Sequence, residues 1–290
     1  MKIKEIMKRY DVRPSKRLGQ HFLMDESFLY KMIKAAEITK EDEVLEIGPG
    51  LGVLTLKLAD YSRKVVAVEK DGSLIKILED LLKNRKNVCL INEDVLKLDL
   101  NRIKKDYFTN NYFKIVANLP YYITSPILMK VIENRDIISK AVVMVQKEVA
   151  ERLASLPGSK SYGILSIAVQ LYSDVEIVSL VGKGAFFPPP KVDSAIVKLD
   201  LQKKAKVDIP DEKIFFKIVE AAFAERRKTV KNSLKNNLEL SPEEVDTIFQ
   251  KTDIDGKRRA ETLSIEEFAS ICRVFMELKG MKGWDKNVFH

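Results

Sequence analysis

Asn118-Leu119-Pro120-Tyr121 is the stretch of the chain whose residue types suit a reaction most directly. An exocyclic amino group on an aromatic base is a poor nucleophile, because its lone pair is delocalised into the ring. Acceptors on its two hydrogens favour a more tetrahedral nitrogen, and the Asn118 side-chain oxygen and the Leu119 backbone carbonyl can supply them. Pro120 carries no backbone donor and restricts Leu119 to an extended conformation. Tyr121 offers a face on which a base can stack. Such a site needs no strong general base, since the proton can leave after transfer, and catalysis is mostly alignment. A second aromatic stop, Phe186, opens the proline-stiffened run Phe186-Phe187-Pro188-Pro189-Pro190-Lys191-Val192-Asp193-Ser194. An extracted base would lie between Tyr121 and Phe186, with Phe187 expected in the core.

A candidate ligand site lies upstream, in Glu46-Ile47-Gly48-Pro49-Gly50-Leu51-Gly52-Val53. Glycines at a strand-to-helix turn let a ligand approach the backbone closely, so Gly48 and Gly50 are candidate contacts. The spacing is G-x-G-x-G rather than the dinucleotide G-x-G-x-x-G, which disfavours NAD and suits a ligand without pyrophosphate. Glu46 would repel a diphosphate but attract an ammonium group. Glu69 ends the next strand, where doubly wound folds place a carboxylate on ribose hydroxyls. Asp94 follows the third strand, near an adenine, and Lys70 and Val95 flank these two acids. An amino-acid end, a ribose and an adenine together describe S-adenosylmethionine.

Residues at these strand ends must be positioned by a sheet. Apolar runs at Val44–Ile47, Val65–Glu69, Val88–Ile91, Lys114–Ala117 and Ala141–Gln146 alternate with the helical patterns Leu51–Ala59, Ser73–Asn84 and Ser125–Glu133. That alternation predicts a mostly parallel sheet with crossover helices. Val175–Val181 and Ser194–Leu199 are expected as an antiparallel pair at its edge. After the polar stretch Gln202–Pro210 only helical patterns remain, at Asp211–Phe223, Lys228–Asn237, Pro242–Gln250 and Ile265–Leu278. Ser241 and Ser264 read as helix caps, the second with Glu267 as a capping box. The fold class is therefore α/β: a Rossmann-like S-adenosylmethionine-dependent methyltransferase domain over 1–203, with a smaller all-helical domain over 204–290.

The 290 residues carry 50 Lys and Arg against 42 Asp and Glu, a net charge of +8 that favours an anionic partner such as nucleic acid. Two cysteines and two histidines leave no disulfide framework and no typical zinc site, so no metal is expected. The absence of a long apolar run or a secretory leader points to a cytoplasmic protein with no membrane contact.

With these segments in hand, the chain resembles the ribosomal RNA adenine dimethyltransferases, specifically the KsgA family acting on small-subunit rRNA, over about Arg13 to Leu278. The resemblance rests on Lys16–Leu23, the Glu46–Thr55 turn, Asn118–Ile123, Phe186–Ser194 and Ala222–Thr229. Glu93 stands where the family often has glycine. The resemblance implies that Gln20, His21 and Leu23 close the cofactor pocket. It assigns Gly48 to the methionine end, Glu69 to ribose, Asp94 to adenine, and Asn118, Tyr121 and Phe186 to the target base. It implies dimethylation of two adjacent adenosines near the 3′ end of small-subunit rRNA, in an immature small subunit, by a monomer. It places Arg226, Arg227 and Lys228 on an RNA-facing surface. Lys231 and the cluster Lys257, Arg258 and Arg259 extend that basic character, and the basics from Lys2 to Arg17 read as a flexible arm. The alternatives are a resistance-type large-subunit rRNA methyltransferase and a non-catalytic ribosome-assembly or transcription factor on the same fold.

Overall fold

The computed structural model describes residues 3–15 and 19–281, and within them the chain forms two compact units. The first comprises the chain up to Ala154 together with Tyr172–Lys203, and the second Ser155–Leu171 with the chain from Lys204 onward. The expected boundary after residue 203 is thus one of three places where the chain changes unit. Residues 155–171 hold most of the helix Ile164–Tyr172, which is apolar on nearly every side. Ile167, Ala168, Val169 and Leu171 have no exposure, as expected of such a helix.

In the first unit nine strands form in chain order: β1 Phe22–Leu23, β2 Glu43–Ile47, β3 Lys64–Glu69, β4 Val88–Asn92, β5 Phe113–Asn118, β6 Ile138–Gln146, β7 Ser173–Val181, β8 Phe186–Phe187 and β9 Ser194–Leu201. Seven of them make one sheet in the order β4-β3-β2-β5-β6-β9-β7. β4 through β6 pair in parallel, and β9 pairs antiparallel with both β6 and β7. The expected antiparallel edge is present, with β9 between its partners. Central strands read as unbroken apolar runs because both faces are covered: Val65, Val66 and Ala67 have no exposure. The chain leaves β2 toward β3 and β4, then returns to β5 on the other side. Doubly wound sheets bind their ligands at such a switch point, beyond the carboxyl ends of the strands.

Three features differ from the sequence expectations. Residues Ile3–Arg9 form a helix rather than a flexible arm, with Ile6 fully buried in the main core cluster. Burial of such a side chain is worth roughly 1.5–3 kcal/mol, enough to hold a short helix down. Lys2, Lys16 and Arg17 lie outside the described residues. The short strands β1 and β8 pair as Phe22↔Phe187 and Leu23↔Phe186, joining two segments far apart in sequence. In the second unit the helix expected from Lys228 starts at Val230, because the Thr229 side chain accepts the Asn232 amide and caps it. The Ser241 and Ser264 capping boxes form with Glu244 and Glu267.

Candidate active site

β2 ends at Ile47, and the backbone turns through Gly48–Gly52 into the helix Val53–Tyr61. Three glycines with positive φ, Gly48, Gly50 and Gly52, make that turn possible. Gly50 has φ 58°, and a Cβ there would come within 3.3 Å of the Phe22 ring. Gly52 has φ 75°, and its Cβ would sit 2.7 Å from Leu78 Cδ2. Any side chain at either position would strain the backbone, and one at Gly52 would also force Leu78 to shift. The Gly50 amide donates to Glu69 Oε2 at 3.2 Å, and the Asp71 amide donates to Oε1 at 2.9 Å. Glu69 is therefore fixed by backbone donors of two different loops. Its burial raises its pKa above the usual carboxylate range, with the Asp71 and Gly50 amides opposing that rise.

β2 carries two buried acids with opposite circumstances. Glu43 accepts from the Thr109 amide at 2.8 Å, the Thr109 hydroxyl at 2.9 Å and the Asn110 amide at 2.8 Å. It is a structural anchor with its needs met. Glu46 is 1% exposed and lines the cleft, yet its Oε2 has no hydrogen-bond partner. The Thr55 hydroxyl is likewise buried without an ordinary hydrogen bond. Desolvation lifts the Glu46 pKa to about 8; Thr55 lies close enough to offset part of that rise, and the charge of Glu69 adds to it. A buried acid left unsatisfied beside a cleft costs stability unless a ligand completes it.

β5 brings Asn118 to the same edge. The Asn118 amide nitrogen donates to the His21 carbonyl at 3.4 Å, and the Leu119 amide donates to the Met144 carbonyl at 3.1 Å. The Pro120 carbonyl is used locally, accepting from Ile123 N and Thr124 Oγ1. The Tyr121 ring stacks on the His21 ring, with centroids 5.7 Å apart and planes at 25°. Its hydroxyl shares a 2.6 Å hydrogen bond with Ser194 Oγ at the start of β9, and burial raises the phenol's pKa. His21 Nδ1 contacts the Pro188 carbonyl at 2.7 Å, so Tyr121 is braced from both ends of the proline-rich loop.

The cleft between these groups encloses a cavity of about 130 Å³ and opens to solvent at its mouth. It is lined by Gln20, His21, Leu23, Glu46, Gly48, Gly50, Glu69, Lys70, Asp94, Val95 and Asn118, all anticipated as cofactor contacts, and by Leu119, Pro120 and Tyr121. Gln20 donates to Asp71 Oδ2 at 2.9 Å, tying the N-terminal segment to the helix after β3. Lys70 Nζ pairs with Asp94 Oδ2 at 2.8 Å, which holds the Asp94 carboxyl below its ordinary range. Ile3, Phe22 and Tyr122 also line the cleft. Ile3 was missed because a basic N-terminus gives no hint of where it docks.

Two expectations about side chains change. Phe186, expected beside the target base, is 4% exposed and packs in the core cluster, whereas Phe187, expected in the core, is 46% exposed. Adjacent strand residues face opposite sides, and the Leu23↔Phe186 register gives the inward side to Phe186. In the second unit, Arg226, Arg227, Lys228, Lys257 and Arg259 are exposed. Arg258 instead forms a two-pronged ion pair with Glu267, and its guanidinium also donates to Thr262. It braces a capping box rather than offering a free cation. Lys231 pairs with Asp246, and Lys228 with Glu225 at 2.5 Å.

Comparison with known proteins agrees with this geometry. Residues 13–277 match the family model described as ribosomal RNA adenine dimethylase. A ribosomal RNA small subunit methyltransferase A from Clostridioides difficile is 46% identical over 271 residues, covering 93% of this chain and 94% of the relative. Its counterpart from Geobacillus sp. is 47% identical over 272 residues, covering 92% and 94%. Among solved structures, a dimethyladenosine transferase from Plasmodium falciparum superposes with a TM-score of 0.74 at 28% identity, covering 91% of this chain and all of that one. The 23S rRNA methyltransferase ErmE gives 0.66 at 27% identity, covering 88% and 99%.

Proposed function

The chain belongs to the ribosomal RNA adenine dimethylase family, and from that premise we propose that its cleft dimethylates N6 of two adjacent adenosines near the 3′ end of small-subunit rRNA. The protein is an S-adenosylmethionine-dependent rRNA adenine dimethyltransferase. The small-subunit substrate is supported by relatives of 46–47% identity that are named for the small subunit; that the enzyme meets it as an immature subunit, in the cytoplasm and as a monomer, is part of the same proposal. The ErmE likeness, at 27%, is more distant.

The observation that carries the reading is the meeting of the Gly48–Gly52 turn and Asn118–Tyr121 in one cleft at the switch point of the sheet. The residues fit the cofactor. The unsatisfied Glu46 carboxyl suits its ammonium group, Glu69 is pre-oriented for ribose hydroxyls, and Asp94 with Val95 suits its adenine. When bound, S-adenosylmethionine supplies an electrophilic methyl group.

The chain's own residues then align the acceptor. Asn118 Oδ1 and the Leu119 carbonyl accept from the two N6 hydrogens, drawing the nitrogen toward a tetrahedral shape with its lone pair exposed. The His21 carbonyl holds the Asn118 amide nitrogen, so the oxygen of that amide is the end turned to the base. Tyr121, locked by Ser194 and His21, provides a fixed stacking face. No side chain acts as a strong base; the released proton passes to solvent.

The test is transfer of labelled methyl from S-adenosylmethionine to unmethylated small and large ribosomal subunits, with mass analysis of the labelled nucleotide. Dimethyladenosine confined to small-subunit RNA is expected. Label in the large subunit would move the substrate to that of the resistance-type enzymes, and loss of no biological effect in Asn118→Ala would favour an assembly role.

A further inference from the structure

The loop between β7 and β9 does more than brace Tyr121. It carries Phe187, whose ring is 46% exposed, and the exposed Lys183 and Lys191. Lys183 and Lys191 line a surface depression with Lys147, Glu148, Glu151, Val192 and Asp193. The acids there are largely engaged: Glu148 pairs with Arg152 at 3.0 Å, Glu151 lies 3.7 Å from Lys147, and Asp193 Oδ1 accepts the Lys183 amide at 2.9 Å. Neither Lys183 nor Lys191 has an ion-pair partner among the described residues. The Asp193 carbonyl also accepts the Lys147 amide at 2.9 Å, fixing the loop to the helix Lys147–Leu153.

This exposed face is coupled rigidly to the reaction site. Pro188, next to Phe187, holds His21 through its carbonyl, and His21 stacks on Tyr121. Ser194, at the far end of the loop, holds the Tyr121 hydroxyl. An aromatic ring left in solvent on a proline-stiffened loop, interleaved with free cations, is the combination that binds single-stranded nucleic acid: rings stack bases and lysines neutralise phosphates. Resting on the RNA-substrate reading above, we propose that the outer face of the 182–193 loop is a subsite for the single-stranded RNA flanking the target adenosine. Phe187 stacks a neighbouring base, and Lys183 and Lys191 contact the backbone. The contacts that tie this loop to Tyr121, on which the target base is proposed to stack, favour RNA over a protein partner.

The test compares wild type, Phe187→Ala, Phe187→Trp and the double variant Lys183→Ala/Lys191→Ala on protein-free unmethylated small-subunit rRNA and on the assembled subunit. Phe187→Ala is expected to raise KM for RNA about tenfold while Phe187→Trp stays near wild type. The lysine double variant is expected to lower the slope of log affinity against log salt by about 1.4, about 0.7 for each phosphate contact on a single strand. S-adenosylmethionine affinity and melting temperature should not move in any variant. If wild type transfers methyl but the variants keep its KM and salt slope, the subsite is wrong and the RNA reading stands. An effect on the assembled subunit with unchanged binding of a single-stranded RNA carrying the target sequence would make this a protein contact and overturn the proposal. Failure of wild type to methylate any RNA would remove the RNA reading and the subsite together.

Discussion

Replacing Glu46 with Gln isolates one buried titration. In the ligand-free protein the Glu46 carboxyl holds its proton up to about pH 8, whereas in the unfolded chain it ionises near 4.5. Between those values the folded state binds a proton that the unfolded state has released. Stability contributed by this group is therefore full below the unfolded pKa and is lost as pH rises through the folded one. The slope is about 1.4 kcal/mol per pH unit, and the whole interval corresponds to roughly 5 kcal/mol. Glu46→Gln keeps the shape but cannot ionise, so every titration not coupled to Glu46 cancels in the comparison, Glu69 being the neighbour whose charge it feels. Urea unfolding of both ligand-free proteins at about pH 5.5 and about pH 7.5 should show the variant gaining on wild type by roughly 2–3 kcal/mol across that range. Cofactor binding gives an independent readout, since an ammonium beside Glu46 favours its carboxylate. Calorimetry in buffers of different ionisation enthalpy should record proton release on binding S-adenosylmethionine or S-adenosylhomocysteine near neutral pH. Little release is expected with methylthioadenosine, which lacks the amino-acid end, or with the Gln variant. Parallel stability profiles and no proton release would mean that Glu46 is already ionised, and the reasoning from its burial would fail.

Glu69→Ala removes a carboxylate already oriented by the Gly50 and Asp71 amides, and should weaken S-adenosylmethionine binding about 10- to 100-fold in a direct titration. Unchanged affinity would remove the ribose assignment. Tyr121→Ala should lower methyl transfer at least tenfold with little change in cofactor affinity, whereas Tyr121→Phe, which loses only the Ser194 hydrogen bond, should lose a few-fold in kcat. Arg258→Ala should cost on the order of 1–2 kcal/mol in denaturant unfolding because Glu267 and Thr262 lose their donor. Arg227→Ala should leave stability unchanged and reduce the salt dependence of RNA binding by about one counterion.

Much of the candidate site was legible in the sequence because it is local. A glycine turn between an apolar strand and a helix, an acid at each of the next two strand ends and an Asn-Leu-Pro-Tyr after the fourth are one-dimensional patterns. The apolar runs and helical repeats fix where in the fold they fall. The helices of the second unit were equally readable, since Ser241 and Ser264 act on amides three residues away. The order of strands along the sheet is not local, and neither is the folding of residues 155–171 into the second unit.

What only the tertiary structure decided depends on contacts between distant segments. Composition makes Ile3 part of a basic tail, but packing makes it a wall of the cleft. Glu43 and Glu46 are both acids on one strand. Only the approach of Thr109 and Asn110 satisfies the first and leaves the second waiting for a ligand. Nothing in Phe186-Phe187 says which ring turns inward; pairing with Phe22-Leu23, more than 160 residues earlier, decides it. Arg258 reads as one of three adjacent cations until Glu267 claims it. The sequence by itself determined which chemistry is present and at which strand ends it stands. Burial and long-range pairing determined which of those groups are spent on the fold and which remain free to act, because desolvation and hydrogen-bond satisfaction exist only once the segments meet.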